Sequence, residues 1–384
     1  MIDTAMIHAH VITPGADLSD AAILVKDGKI ASVLPSGSPI PSAEETIDAG
    51  GNYVVPGFLD IHTHGAAGMD ITDPEESAVE TVAKAKLEEG CTSFAPTTLT
   101  LDEETLAQSV THVAAYREAG EKYARVLGVH LEGPFINPAC LGAQNPAFVR
   151  EPNIDEVLRH SAISPVLQVT FAAEMPGGAE FTRRCLENGI VPSCGHSKAT
   201  AEQFRAAYQN GLRHLTHFCN QMTALHHREI GLVGAGFLYG DVRTEIICDK
   251  IHLCPDMIRL IFAVRPLESI LMITDSMRAS HLPDGPSSLG GLDVIVKDGQ
   301  ARLASNGALA GSVLRMNVAL KNVFEVTGLP LSEIIRCTSW NQAIELGRGD
   351  SLGKIECGFD ADLTVLDPTS FDVKGVFIKG EKRL

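Results

Sequence analysis

Eight short apolar runs, separated by segments of helical spacing, constrain this chain more than anything else in it. The runs are Val54–His62, Thr92–Thr97, Val126–Glu132, Val166–Ala173, Ile190–His196, His214–His217, Thr244–Cys248 and Ile270–Asp275. The pieces between them include Pro74–Glu89, Asp102–Ala119 and Ala201–Asn210, whose apolar positions recur at helical spacing over polar faces. Thr200-Ala201-Glu202-Gln203 reads as a capping box opening the last of these. Strands alternating with helices imply crossover connections, and crossovers make a sheet parallel. Eight such repeats predict an α/β fold, a (β/α)8 TIM-like barrel; a doubly wound sheet also fits the alternation.

The two ends of the chain read differently. Residues 1–55 hold short strands and turns, with Ala22-Ile23-Leu24-Val25 running into the turn signal Lys26-Asp27-Gly28-Lys29 and then Ile30–Leu34. Ala361–Pro368 and Val376–Gly380 have the same character. Neither tail is long enough to bury a sheet face alone. We therefore expect one small β-sandwich domain built from 1–55 plus 355–384, and a barrel over 56–354.

The formal net charge of −17 argues against a nucleic-acid surface, because phosphate backbones are met with Lys and Arg. No apolar run is long enough to span a bilayer, and no basic-then-apolar leader opens the sequence. Nine cysteines without CxxC spacing read as reduced thiols. The expectation is a cytoplasmic protein with no nucleic-acid or membrane partner.

In a barrel, chemistry sits at the C-terminal ends of the strands. The first run ends in His62-Thr63-His64, and alternation on a strand points both imidazoles the same way. The third ends in His130-Leu131-Glu132, the fifth in Gly195-His196, the sixth in Thr216-His217 and the eighth in Thr274-Asp275. Each residue alone has an ordinary structural explanation: a cap for Glu132 or Asp275, a satisfied core histidine for His196 or His217. Jointly, five strand ends bearing metal-ligand or acid–base residue types point to a metal centre. His8-Ala9-His10 repeats the spacing in the terminal domain without partners, and Cys194 and Cys219 are read as small core residues. Asp60, two before His62, is expected to orient an imidazole.

The stretches Pro56–Gly65, His130-Leu131-Glu132-Gly133-Pro134-Phe135, Gly195-His196-Ser197-Lys198-Ala199-Thr200, Thr216–Met222, Gly231–Ala235, Ile273-Thr274-Asp275 and Gly307–Ser312 together resemble the amidohydrolase superfamily. Within it, the chain is similar to the N-acetylglucosamine-6-phosphate deacetylase family. That resemblance implies a divalent metal (Zn or Fe) held by Glu132, His196 and His217, with a second ion possible on His62 and His64. It also implies that Asp275 is the catalytic residue. The fourth run ends Ala172-Ala173-Glu174 with no lysine, which disfavours relatives that bridge two metals by a carbamylated lysine.

By the same match the substrate is a phosphorylated amino sugar. Its phosphate meets His252 and Arg228, the arginine coming from the neighbouring subunit of a homodimer. Ala143, Gln144, Asn220, Gln221, Leu309 and Ala310 would line the sugar pocket, with Leu309–Ser312 opening a helix whose N–H groups face the ligand. Three positions depart from the family pattern: Gln144 replaces a histidine, Lys250 a glycine and Gln221 a small residue. The alternatives are an amidohydrolase for another N-acyl sugar phosphate or N-acyl amine, and a non-catalytic scaffold.

Overall fold

The structure, a computed structural model, describes residues 1–384. Eight inner strands carry it: Phe58–Thr63, Cys91–Pro96, Val129–Glu132, Val166–Phe171, Val191–Cys194, His214–Leu215, Arg243–Ile247 and Ile270–Ile273. The first two pair in parallel, and the other six form one parallel sheet in chain order. Bridges Thr97↔His130 and Thr63↔Ser276 join these two sheets along both free edges. There the Thr98 N–H donates to His130 O (3.0 Å) and the Asp275 N–H to His62 O (2.9 Å).

The expected helices form over Ser77–Glu88, Glu103–Glu118 and Ala201–Gln209. Asp102 caps the second through Thr105 N, and Thr200 with Gln203 forms the reciprocal box at the third. Inner strands such as Phe58–Thr63 and Cys91–Pro96 are buried at every position, as parallel strands covered on both faces must be.

The chain ends meet in a single sheet. From one edge its strands run Glu381–Lys382, Val373–Ile378, Leu363–Leu366, Tyr53–Pro56, Ile2–Thr13, Ala16–Lys26 and Lys29–Leu34, with Ala43–Asp48 also on Ile2–Thr13. One continuous eight-stranded sheet thus stands where a two-sheet sandwich was expected. The reason is the length of Ile2–Thr13, which holds two successive partners along one edge: Ala43–Asp48 opposite Ile2–Ile7, then Tyr53–Val54 opposite His10–Val11. Asp27 and Gly28, both at positive φ (52° and 74°), make the two-residue hairpin turn that was read from their types. This sheet buries a 15-residue cluster of its own, separate from the 67-residue cluster between the inner strands and their helices.

An antiparallel three-stranded insertion, Gly285–Leu289, Leu292–Lys297 and Gln300–Leu303, follows the eighth inner strand. The sequence reading did not contain it.

Between the inner strands lies a group of polar contacts. Thr170 Oγ1 lies 2.8 Å from His130 Nε2 and 2.7 Å from Thr216 Oγ1, which also meets Ser193 Oγ at 2.5 Å. Gly195 is required here: a Cβ on it would come within 2.7 Å of Thr216 Cβ and 2.9 Å of Thr170 Cγ2.

Lys86, fully buried, reaches in from the first helix to Asp60 Oδ2 (3.1 Å), Glu89 Oε2 (3.1 Å), Thr274 Oγ1 (3.0 Å) and Ser276 Oγ (2.9 Å). Asp60 therefore pairs with an ammonium and does not orient an imidazole, because Lys86 arrives first on the same face. Removing the ammonium strands two buried carboxylates. Lys86→Met is expected to cost about 3–5 kcal/mol, read as a lowered urea midpoint of the metal-free protein.

Candidate metal centre and active site

Three of the residues picked out at strand ends sit in the left-handed region of backbone space: His196 (φ 46°), His217 (φ 32°) and Asp275 (φ 50°). Non-glycine residues adopt such angles rarely and at a cost, and clustered cases mark functional sites. The turn swings each side chain from the strand direction inward over the ring.

Glu132 is where they meet. Its Oε1 lies 3.2 Å from His196 Nε2, 3.0 Å from His217 Nε2 and 3.5 Å from His62 Nε2. Its Oε2 lies 3.3 Å from His64 Nε2. The two imidazole nitrogens of His196 and His217 face each other at 3.0 Å. Donors about 2.0–2.1 Å from a tetrahedral zinc stand about 3.3–3.4 Å apart, so the separations within Glu132, His196 and His217 fit a shared cation to a few tenths of an ångström. Those three, and likewise His62, His64 and Glu132, form candidate metal-binding groups. His62 Nε2 is buried without a hydrogen-bond partner, and its nearest polar neighbours are Glu132 and Asp275 Oδ1, the latter at 3.6 Å. A buried imidazole nitrogen without a partner there is what a second cation would use.

Outer contacts fix the rings. His196 Nδ1 is 2.7 Å from Cys140 O, His64 Nδ1 3.3 Å from Thr97 O, and His62 Nδ1 2.9 Å from Glu245 Oε2. Burial works against ionising Glu132, yet the surrounding histidines hold it well below the usual carboxylate range. Asp275 is likewise disfavoured by burial but kept below its ordinary value by His62 and His64. It is an ionised carboxylate at neutral pH. Its Oδ1 is 3.2 Å from His64 Nε2.

Above this centre opens a cavity of about 300 Å³. Ala143, Gln144, Asn220, Gln221, His252 and Leu309 line it together with the carboxylates and histidines. His252 Nδ1 sits 2.6 Å from Asp249 Oδ2. No Lys or Arg lines the cavity.

The other expected residues lie as follows, with Ala310 and the helix at Leu309–Ser312 corrected. Arg228 is exposed beside His227 (2.7 Å) and does not reach the cavity of its own chain. Lys250 turns outward to Glu325 (3.0 Å), so it neither adds a cation to the cavity nor crowds it. Ala310 is buried in the cluster of the inserted hairpin, its N–H donating to Ala301 O. Leu309–Ser312 opens no helix: Leu309 and Ser312 bridge to Arg302 and Ser276, and the helix starts at Met316. A hairpin edge and an inner strand have captured the N–H groups that a ligand was to use. Gln144 spends its amide within the protein, donating to Glu132 Oε2 (2.5 Å) and accepting from Thr100 N (2.7 Å).

Sequence reasoning missed Glu245. Its signal was present: an acid followed directly by Ile246 and Ile247 in an inner strand, a position that burial disfavours without partners. The neighbouring thiols of Cys194 and Cys219 are pushed up to about 12 by burial, which leaves them inert beside the centre. His8 and His10 pair with Asp48 and Asp17 in the terminal sheet, away from all of this.

Known proteins show the same plan. The amidohydrolase family profile matches residues 53–383. An N-acetylglucosamine-6-phosphate deacetylase from Lysinibacillus sphaericus is 34% identical over 353 residues, 90% of this chain and 89% of that one. An N-acetylgalactosamine-6-phosphate deacetylase from Escherichia coli O157:H7 is 35% identical over 97% of both chains. Among solved structures, a mutant N-acetyl-D-glucosamine-6-phosphate deacetylase from Mycobacterium smegmatis, in complex with N-acetyl-D-glucosamine-6-phosphate, superposes with a TM-score of 0.92 at 29% identity over 100% of both chains. A parallel α/β frame, a carboxylate ringed by imidazoles at its strand ends and these full-length likenesses agree: the chain belongs to the amidohydrolase family.

Proposed function

We propose that this protein hydrolyses N-acetylglucosamine 6-phosphate to glucosamine 6-phosphate and acetate. The observation that carries the reading is the convergence of four imidazole Nε2 atoms on Glu132 with an ionised Asp275 beside them, under a cavity of sugar size.

The residues fit a divalent cation, zinc or iron, on Glu132, His196 and His217, with a second on His62 and His64 sharing Glu132. Such an ion supplies Lewis acidity to the amide carbonyl and lowers the pKa of water. Asp275 takes the proton from the attacking water and returns it to the departing amine. Asn220, Gln221, Ala143 and Leu309 shape the sugar subsite, and His252, fixed by Asp249, offers Nε2 to the phosphate. Gln144 serves the centre by holding Glu132.

A cavity without Lys or Arg, in a chain of net charge −17, is a poor host for a phosphate dianion. That supports a homodimer in which exposed Arg228 crosses to the partner's cavity. The edge bridges support closure of the eight strands into a barrel, residues 56–354, and the separate terminal core supports a second domain of 1–55 with 355–384. All nine cysteines are unpaired, consistent with the cytoplasm; no helix is long and apolar enough to cross a membrane.

The galactosamine relative, at 35% identity, favours one second reading: the 4-epimeric phosphosugar as substrate. Acetate release from the two hexosamine phosphates, and from N-acetylglucosamine without phosphate, tests both. Indifference to the phosphate overturns the proposal, and a higher kcat/KM for the galacto epimer selects the second reading. Arg228→Ala is expected to raise KM about tenfold or more with kcat nearly unchanged, because the phosphate contact is equal in ground and transition states.

A further inference from the structure

Glu245 is fully buried among the inner strands, and its contact to His62 is one of several it makes. Four nitrogen donors converge on it. His62 Nδ1 (2.9 Å) and the backbone N–H of His217 (3.2 Å) meet Oε2; Gln168 Nε2 (2.6 Å) and His214 Nε2 (3.1 Å) meet Oε1. The His217 N–H and the Gln168 amide can only donate, the two imidazole nitrogens donate in the matching tautomers, and a carboxylate accepts all four. The pattern continues through His214, whose Nδ1 lies 3.1 Å from Glu345, itself paired to Arg243 at 3.1 Å.

Among the centre's histidines, His62 is the one whose outer nitrogen meets a charged acceptor. His64 and His196 face backbone carbonyls, and His217 Nδ1 has no partner. A carboxylate on Nδ1 confines the remaining proton there, turns a bare Nε2 inward and raises its basicity as a ligand. That inward Nε2 is the unpartnered buried atom facing Glu132 and Asp275.

We propose that Glu245 is the positioning residue for the second cation: by fixing the tautomer and orientation of His62, it decides whether the His62–His64 site fills. The inference rests on the metal-dependent reading above and deepens it. Glu245→Gln is the isosteric test and is built to fold. The Gln168 Oε1, unpartnered now, can receive the new amide after a flip, and His214 can shift its proton to Nδ1 toward Glu345.

The experiment titrates metal-free wild type, Glu245→Gln, His62→Gln and the double variant with zinc, reading bound ions and affinities by equilibrium dialysis with elemental analysis. Wild type is expected to bind two ions. Glu245→Gln should keep the first and hold the second 10–100-fold more weakly. The double variant should match His62→Gln alone. Two results overturn the proposal: a wild type that takes one ion, or a Glu245→Gln protein that holds the second ion as tightly as wild type. A further loss at the first ion in the double variant also overturns it, since that assigns Glu245 a general structural role.

If Glu245→Gln does not fold, imidazole nitrogen shifts of zinc-loaded wild type decide: a His62 proton on Nδ1 supports the proposal, and one on Nε2 ends it. None of these readings uses acetate release. Two ions bound as expected with no hydrolysis would retire the deacetylase reading and leave this one standing.

Discussion

Asp275→Asn is expected to bind metal as the wild type does and to lose hydrolysis by about 10²–10⁴-fold, the range for removing a general acid–base. The carboxylate is ionised at neutral pH because His62 and His64 overcome the penalty of burial, so at neutral pH the wild type has its base in the active form. The amide is the same size and keeps an oxygen for His64 Nε2, now 3.2 Å from Oδ1. What it cannot do is accept a proton. The loss should therefore fall on kcat, with KM for the phosphosugar within a few-fold. A variant that lost its metal, or one that kept activity, would place the base elsewhere.

Glu132→Gln is expected to abolish tight metal binding, weakening it by more than the roughly 100-fold typical of losing an outer partner. One carboxylate stands 3.0–3.5 Å from four imidazole nitrogens, and it is the acid paired with His196 and His217. Its charge also holds protons in the metal-free protein. Burial disfavours a charged His64, but the hydrogen bonds it donates to Asp275 and Glu132 outweigh this and raise it from 6.5 to about 10.

The sign follows. Because the folded value exceeds the unfolded one, the stability His64 gives the metal-free protein is complete below about 6.5 and disappears as pH rises through about 10. Ligands must be neutral, so cations displace these protons, and apparent affinity at the His62–His64 site should climb with pH across 6.5–10. Calorimetry in buffers of different ionisation enthalpy will show wild type releasing protons on binding. Flat affinity over that window would contradict this account of His64.

Most of the parallel frame was legible because buried parallel strands announce themselves as apolar runs and their helices by capping chemistry. Thr200 with Gln203 is a case in which local sequence decides local structure. The convergence of Glu132, His196 and His217 was legible for a different reason: strand ends in an α/β frame face one side, so residue type at the end stands in for position.

What could not be read depended on partners distant in the chain. Asp60 shares a face with His62, yet a lysine on the following helix takes it. Gln144 lines the cavity as its position implies, but its hydrogen bonds to Glu132 and Thr100 come from segments that only the fold brings near. Ala310 was placed at a helix start, whereas an inserted hairpin, marked by the alternating strand Leu292–Lys297 and the turn Asp298-Gly299, claims its N–H. Glu245 follows Arg243 and Thr244, so one more polar residue at the start of the strand did not stand out.

The terminal sheet also governs how the molecule can be made. Its strand Leu363–Leu366 lies between Tyr53–Pro56 and Val373–Ile378. During translation, Tyr53–Pro56 must therefore wait with one edge bare until nearly all of the remaining polypeptide has left the ribosome. Such an edge invites pairing with other nascent chains.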